Sequence, residues 1–336
     1  MSATSSGVTA VSGTNIALVK YWGKRDAALN LPATGSLSLT LDRLGTRTRV
    51  AFDGGSSNAD RVTLDGAPAG EKFAARATAF LDRVRARAGI TTRATVDTAN
   101  TVPTAAGLAS SASGFAALAV AAARAAGLPL SPGELSELAR LGSGSAARSI
   151  FGGFVEMARG QRPDGRDAVA RPIDEGEGRA GWDVRLVVAI TAAGEKTIGS
   201  TAAMARTAAT SPYYDAWVRG VEGDLVDARA AIAARDLKAL GAVAERSAMR
   251  MHASAMAADP PILYWNAATV SAIGAVRALR EGGVAAFFTI DAGPHVKVLC
   301  AAADAGRVAA VLGDTPGVLR TLIAAPGPGA RVVEAA

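Results

Sequence analysis

The densest concentration of potential chemistry lies in Pro103-Thr104-Ala105-Ala106-Gly107-Leu108-Ala109-Ser110-Ser111-Ala112-Ser113. Small residues there leave backbone N–H groups uncovered just ahead of an alanine-rich helix, whose N-terminus carries partial positive charge. A phosphate suits that setting, and Ser110, Ser111 and Ser113 can offer hydroxyls to phosphate oxygens or to a magnesium ion. Serines also cap helices that bind nothing, so the spacing admits both a phosphate site and a plain helix start. No Gly-Lys-Ser/Thr follows, which excludes a Walker-type loop.

Three other places hold candidate groups. Asp291, before Ala292-Gly293-Pro294, can accept a proton from a hydroxyl or can bond its own backbone as a turn residue. Gly142-Ser143-Gly144-Ser145 offers two hydroxyls on a pliable backbone and reads as an anion contact or as a connection between helices. Tyr21-Trp22, on its own, reads as core aromatics at a strand end. His252 and His295 have no partners at metal-ligand spacing and read as structural. Cys300, in an apolar strand, reads as inert; it is the only cysteine, so no intrachain disulfide can form.

Elements that could position these groups follow from periodicity. Residues 15–21 and 36–42 read as short strands joined by a polar turn, and 47–52 with 61–64 as a hairpin. Helical spacing covers 72–88, a long segment from Ala112 to Gly127, and 132–141 with Ser131 as N-cap and Pro132 at the first position. Strands are expected at 94–98 and 152–157. The polar stretch 159–181 has little periodicity and reads as surface loop and domain boundary. The second half opens with a strand at 184–190. It continues with helices at 213–235, 237–256 and 266–281, strands at 284–290 and 295–300, a helix to about 312 and a strand near 319–324. Interleaved helices and strands in both halves predict an α+β protein of two packed domains, 1–181 and 182–336.

Composition narrows the partners. The chain has 336 residues, with 36 Lys and Arg against 30 Asp and Glu. A basic excess of that size suits nucleic acid, an anionic surface or a small anionic substrate. No run of five like charges occurs, and Arg83, Arg85 and Arg87 alternate with apolar residues, which argues against nucleic acid. No segment reaches about 18 uninterrupted apolar residues, and the first 15 residues lack a signal-like apolar region. The expectation is a cytoplasmic protein that binds neither nucleic acid nor membrane.

The segment Pro103 to Ala112 resembles the phosphate loop of the GHMP kinases, such as galactokinase, homoserine kinase and mevalonate kinase. Three further segments narrow the resemblance to the diphosphomevalonate decarboxylases: Asn15-Ile16-Ala17-Leu18-Val19-Lys20-Tyr21-Trp22-Gly23-Lys24-Arg25-Asp26, Gly142 to Gly153, and Asp291-Ala292-Gly293-Pro294-His295-Val296-Lys297-Val298. They occur in that family's order, with weaker similarity over nearly the whole chain. The resemblance implies a two-domain GHMP kinase fold, with an N-terminal domain like ribosomal protein S5 and a ferredoxin-like C-terminal domain. It implies a homodimer that uses ATP and Mg²⁺ on a small anionic hydroxy acid. The family's reaction phosphorylates the 3-hydroxyl of mevalonate diphosphate, then loses phosphate and carbon dioxide to give isopentenyl diphosphate.

Roles carry over residue by residue from that resemblance. Asp291 would orient the hydroxyl and accept its proton. Arg148 would grip the substrate carboxylate, and Asn15 would hold that carboxylate or Arg148 in place. Lys24 joins the catalytic group and, with Tyr21, Ser143, Gly144, Ser145 and Ser200, would contact the diphosphate and hydroxyls. Ala105, Gly107, Leu108, Ala109, Ser110, Ser111 and Ser113 would hold ATP; no metal ligand is assigned. Three positions depart from the pattern: Thr201 stands for an arginine, Gly35 for Ser or Thr, and His295 for Asn. They leave open the same chemistry on another 3-hydroxy acid, such as mevalonate monophosphate or a specialised metabolite, and also a nucleotide-binding sensor without turnover.

Overall fold

The computed structural model describes residues 7–54, 59–101, 110–173, 182–194 and 196–333. Its first half comprises β1 (Val8–Val19), β2 (Lys24–Asp26), β3 (Leu31–Pro32), β4 (Ser36–Ala51), β5 (Arg61–Leu64), β6 (Ala67–Pro68), α1 (Glu71–Ala88), β7 (Thr95–Asn100), α2 (Ser110–Ala125), α3 (Pro132–Gly142), α4 (Ala146–Ser149), β8 (Phe154–Met157) and β9 (Ala170–Pro172). The second comprises β10 (Val184–Ile190), α5 (Ser200–Thr210), α6 (Tyr214–Ala233), α7 (Leu237–Met256), α8 (Ala267–Glu281), β11 (Ala286–Ile290), β12 (Val296–Ala301), α9 (Ala305–Gly313), β13 (Arg320–Ala324) and β14 (Arg331–Val333).

The two strands expected at 15–21 and 36–42 are the inner parts of β1 and β4, which run antiparallel along most of their length. Register shifts fall between Gly13 and Asn15 and between Ala17 and Val19, and irregularities of this kind re-aim the side chains beside them. The expected hairpin of 47–52 with 61–64 does not form. Residues 47–51 belong to β4, which pairs with β1 and β7, while β5 lies parallel to β7. β7 lies between the two segments and sets Val96 against Val62, both buried.

In the first half, α1, α2 and α3 cover one face of the large sheet. Alanine is what makes this close: Ala116, Ala119, Ala121 and Ala122 of α2 are all fully buried beside Val50 and Val96. Ser131 caps α3 in a reciprocal box with Glu134.

The second half follows a β-α-β-β-α-β course. Its antiparallel sheet has the order β11-β12-β10-β13, the ferredoxin-like arrangement. Both faces are buried. Along β10, Val187 and Ala189 join α8 and α9 on one side, while Leu186, Val188 and Ile190 join α6, α7 and β1 on the other. That second cluster contains Ile16, Leu18, Leu37 and Leu39 as well, so the two halves share one core. The division at 181/182 needs a correction at the chain's far end. β14 pairs with β1, Pro326 bridges Leu41, and Gly153 N donates to Gly327 O at 3.0 Å. The last residues described thus complete the first sheet, because β1 otherwise presents an unpaired edge.

Candidate active site

Asp291 follows β11 directly and meets two lysines. Lys20 Nζ lies 2.7 Å from Oδ1, and Lys297 Nζ lies 3.1 Å from Oδ2. Lys20 leaves the end of β1, and Lys297 sits in β12, buried within an apolar strand. Lys20 also donates to Ala17 O at 2.7 Å, and its own N–H donates to Ser247 Oγ of α7 at 3.0 Å. Burial alone would raise the carboxyl pKa, yet the two ammonium groups outweigh it and hold Asp291 well below the usual carboxylate range. Burial outweighs the attraction of Asp291, and Lys297 and Arg148 add repulsion, so Lys20 is lowered to about 8. Two lysines share one carboxylate, so one of them is under-compensated.

Arg148 is 1% exposed on the single turn α4. Its Nε donates to Ser38 Oγ at 2.9 Å, Nη1 to Ser36 Oγ at 2.6 Å and Nη2 to Asn15 Oδ1 at 3.2 Å. Strand periodicity explains the first two: Ser36 and Ser38 share one face of β4 while Leu37 and Leu39 fill the core behind it. All three acceptors are neutral, and among the described residues no carboxylate pairs with this guanidinium. Burial lowers its pKa to about 10, and Asp291 opposes this from beyond bonding distance. Three acceptors engage a group with five N–H donors, so capacity remains for an anion.

Asn15 acts through Arg148. Its amide nitrogen donates to Ser145 O at 2.9 Å and Ser149 Oγ at 2.8 Å, so it clamps both ends of α4 while Oδ1 receives the guanidinium. Of the two tasks expected for Asn15, the geometry supports holding Arg148.

Lys24, expected both in the catalytic group and among the diphosphate and hydroxyl contacts, does not meet Asp291. The lysine at that carboxylate is Lys20, four residues earlier, and Lys24 Nζ instead donates to Asn30 Oδ1 at 2.5 Å. Burial and the nearby Arg76 both lower its pKa. Tyr21 stands between the two groups, with its ring 6.0 Å from the Arg148 guanidinium. A Cβ at Gly144 would meet the Tyr21 hydroxyl at 2.2 Å, so only glycine lets the Ser143–Ser145 backbone approach that ring. Ser143 and Ser145 share a hydroxyl contact of 3.3 Å. Arg76, unassigned from sequence, donates to Gly142 O at 3.1 Å and adds positive charge to this end.

Of the residues expected to hold ATP, Ala105, Gly107, Leu108 and Ala109 lie outside those described. Ser110 opens α2, and Ser111 is exposed at its first turn. Ser113 corrects the expectation: it is buried, 2.7 Å from Thr46 Oγ1 and 3.5 Å from Thr14 Oγ1. One turn along the helix, its hydroxyl faces the sheet and satisfies buried threonines, so no phosphate contact is assigned to it.

Ser200 begins α5 and accepts from Lys196 Nζ at 2.9 Å, while that ammonium also reaches Ala292 O at 3.1 Å. Thr201 is exposed beside it. His295 is tied to the end of β10: Thr191 N donates to its Nδ1 at 3.2 Å. At Gly35 a Cβ would meet Leu225 Cδ1 at 2.7 Å and Met157 O at 3.2 Å, so packing on α6 accounts for the missing side chain. His252 is fully buried, its Nε2 3.3 Å from Ile290 O, and burial lowers its pKa to about 3. Cys300 is buried and its thiol is pushed up to about 12, which agrees with an inert role. No group of three or more His, Cys, Asp or Glu among the described residues is arranged to hold a metal ion. No helix there is long and apolar enough to cross a membrane.

A two-domain α+β fold with a serine-led helix start and a cluster of buried cations is that of the GHMP kinases. The diphosphomevalonate decarboxylase-like N-terminal domain matches residues 12–170, and the mevalonate 5-diphosphate decarboxylase C-terminal domain matches residues 186–318. The diphosphomevalonate decarboxylase of Gibberella zeae is 38% identical over 309 residues, covering 87% of this chain and 80% of that protein. The mevalonate diphosphate decarboxylase structure from Staphylococcus aureus superposes with a TM-score of 0.91 at 36% identity, covering 98% of each chain. A structure solved with MVAPP, AMPPCP and magnesium gives a TM-score of 0.91 at 40% identity, over 98% of this chain and 99% of that one. The chain belongs to the diphosphomevalonate decarboxylase family.

Proposed function

We propose that this protein decarboxylates mevalonate 5-diphosphate at the expense of ATP, yielding isopentenyl diphosphate, carbon dioxide, ADP and phosphate. The observation that carries the reading is Arg148, a buried guanidinium with only neutral partners, set near a carboxylate that two lysines keep ionised. This cluster of buried cations needs an anion, and a carboxylate bound by the spare N–H groups of Arg148 would supply it.

Asp291 receives a hydrogen bond from the 3-hydroxyl and aligns it for attack on the γ-phosphorus of ATP. As the new P–O bond forms, the hydroxyl becomes strongly acidic, so even a carboxylate of low basicity can take its proton late in the transfer. The 3-oxygen then carries a phosphate and is a good leaving group. The electron pair of the bond between C2 and the carboxyl carbon becomes the C2–C3 double bond, and the C3–O pair departs with phosphate. Lys20 and Lys297 stabilise the charge accumulating on the departing oxygen. Lys24, Tyr21, Ser143, Ser145 and Arg76 form the diphosphate end. The backbone ahead of α2, with Ser110 and Ser111, holds the ATP phosphates. When bound with ATP, magnesium would neutralise charge on the transferring phosphate, with phosphates and one or two protein oxygens as its usual ligands. Action in the cytoplasm as a homodimer belongs to the same proposal.

Incubation with mevalonate diphosphate, ATP and MgCl₂ should release carbon dioxide and ADP in equal amounts. ADP without carbon dioxide would mean that the reaction stops at the 3-phosphate. Release of neither would refute the proposal.

A further inference from the structure

The turn between β2 and β3 is fixed from several sides. Leu29 N donates to Asp26 Oδ1 at 2.7 Å, Arg83 Nη2 to Ala28 O at 3.3 Å and Arg140 Nη1 to Leu29 O at 2.5 Å. Arg140 is itself fully buried, and its Nη2 donates to Gly165 O at 3.0 Å. The turn ends at Asn30 with φ +52°, a left-handed conformation that asparagine tolerates better than most residues.

This backbone delivers the Asn30 amide between two parts of the site. Oδ1 accepts from Lys24 Nζ at 2.5 Å, and Nδ2 donates to Leu141 O at 3.0 Å. The Asn30 carbonyl accepts from the Tyr21 hydroxyl at 3.4 Å. An ammonium only donates and a carbonyl only accepts, so a side chain serving both must offer one acceptor and one donor, as an amide does. Leu141 leads directly into Gly142 and the Ser143–Ser145 loop. No carboxylate acts on Lys24 among the described residues; burial and Arg76 do.

We propose that Asn30 is the positioning residue for the anionic end of the substrate. It holds Lys24 and Tyr21 against the Ser143–Ser145 loop through a neutral group, which leaves the ammonium charge to pair with phosphate. This rests on the reading that Lys24 and Tyr21 face the diphosphate. Aspartate at position 30 would neutralise Lys24, forfeit the bond to Leu141 O and repel the substrate.

Asn30→Asp, Asn30→Gly and Lys24→Met can be compared with mevalonate diphosphate as variable substrate and inorganic diphosphate as competitive inhibitor. Asn30→Asp should raise both KM and Ki about tenfold or more, the share of one charge-assisted contact, with a much smaller change in kcat. Asn30→Gly keeps the left-handed backbone and should raise both about threefold; if the aspartate variant does not fold, this one decides. Raised KM in Lys24→Met with unchanged KM and Ki in the Asn30 variants overturns the inference and leaves the diphosphate end in place. A loss confined to kcat in the Asn30 variants overturns it too. Unchanged KM and Ki in Lys24→Met refute the placement of the diphosphate, and the inference with it.

Discussion

Replacing Arg148 by methionine separates a functional charge from a structural one. Burial drops the guanidinium pKa from 12.5 to about 10. One pKa unit corresponds to about 1.4 kcal/mol, so keeping the charge in the fold costs on the order of 3 kcal/mol. A base with a lowered folded pKa destabilises the fold at every pH below that value, and the cost fades only between about pH 10 and 12.5. Opposing it are three hydrogen bonds, to Ser36, Ser38 and Asn15, each worth at least about 1.5 kcal/mol because the donor is charged. The bonds outweigh the burial cost by about 1–2 kcal/mol. Arg148→Met, which keeps much of the volume, should therefore melt within about 5 °C of the wild type, a difference of roughly 2 kcal/mol in a chain of this size. Turnover should behave otherwise. Two charge-assisted bonds to the substrate carboxylate contribute about 3–6 kcal/mol, or roughly 10²- to 10⁴-fold in kcat/KM. Thermal melts with and without mevalonate diphosphate, beside steady-state kinetics, read both effects. The wild type should gain stability on adding substrate, and the variant should gain far less. Retained turnover, or a melt far below the wild type, would refute the assignment of Arg148 as a charge held ready for an anion.

Asp291→Asn should fold and bind ATP but lose at least about a hundredfold in kcat, the lower range for a positioned acid–base group; near wild-type turnover would sink that role. Lys20, lowered to about 8, should give kcat/KM an alkaline limb that falls about tenfold per pH unit above 8 as its charge is lost. Lys20→Arg should move the limb to higher pH, and a flat profile to about pH 9.5 would reject the assignment. Ser110→Ala and Ser111→Ala should raise the KM for ATP more than that for the acid, whereas Ser113→Ala should act mainly on stability. Equal KM values for ATP in the first two variants and the wild type would place the nucleotide elsewhere.

Much of the fold was legible because period and polarity agreed. β10 and α7 occupy the expected ranges, and α3 and α8 open on their caps Ser131 and Asn266. Pairing was not legible. Nothing within 47–52 or 61–64 says that β7, thirty residues further on, lies between them, since strand alternation specifies a face and not a neighbour. The helix α5 escaped because Ser200–Thr210 is rich in Ala and Thr, and buries only Ala203, Met204 and Thr207. β14 escaped for a related reason: its three residues Arg331–Val333 find their partner in β1, more than three hundred residues away in sequence.

The site shows where a motif stops being enough. Lys20 and Lys24 stand in the same stretch, and their chemistry is identical until the chain is folded. Gly23 separates them at φ +108°, and a Cβ there would lie 1.8 Å from the Tyr214 hydroxyl. The backbone therefore turns at a point that only glycine can occupy, against a helix from the other half of the chain. Before the turn, Lys20 points back along β1 to Asp291; beyond it, Lys24 faces Asn30 and α3. In the proposed reaction one lysine thus serves the reacting centre and the other the anionic tail. Tyr214, nearly two hundred residues away, closes the space around that glycine, and the spacing of the lysines does not reveal it. Lys297 is a further case. A lysine inside the apolar run Val296–Ala301 is costly unless paired, and only the folded chain shows its partner, Asp291 Oδ2 at 3.1 Å.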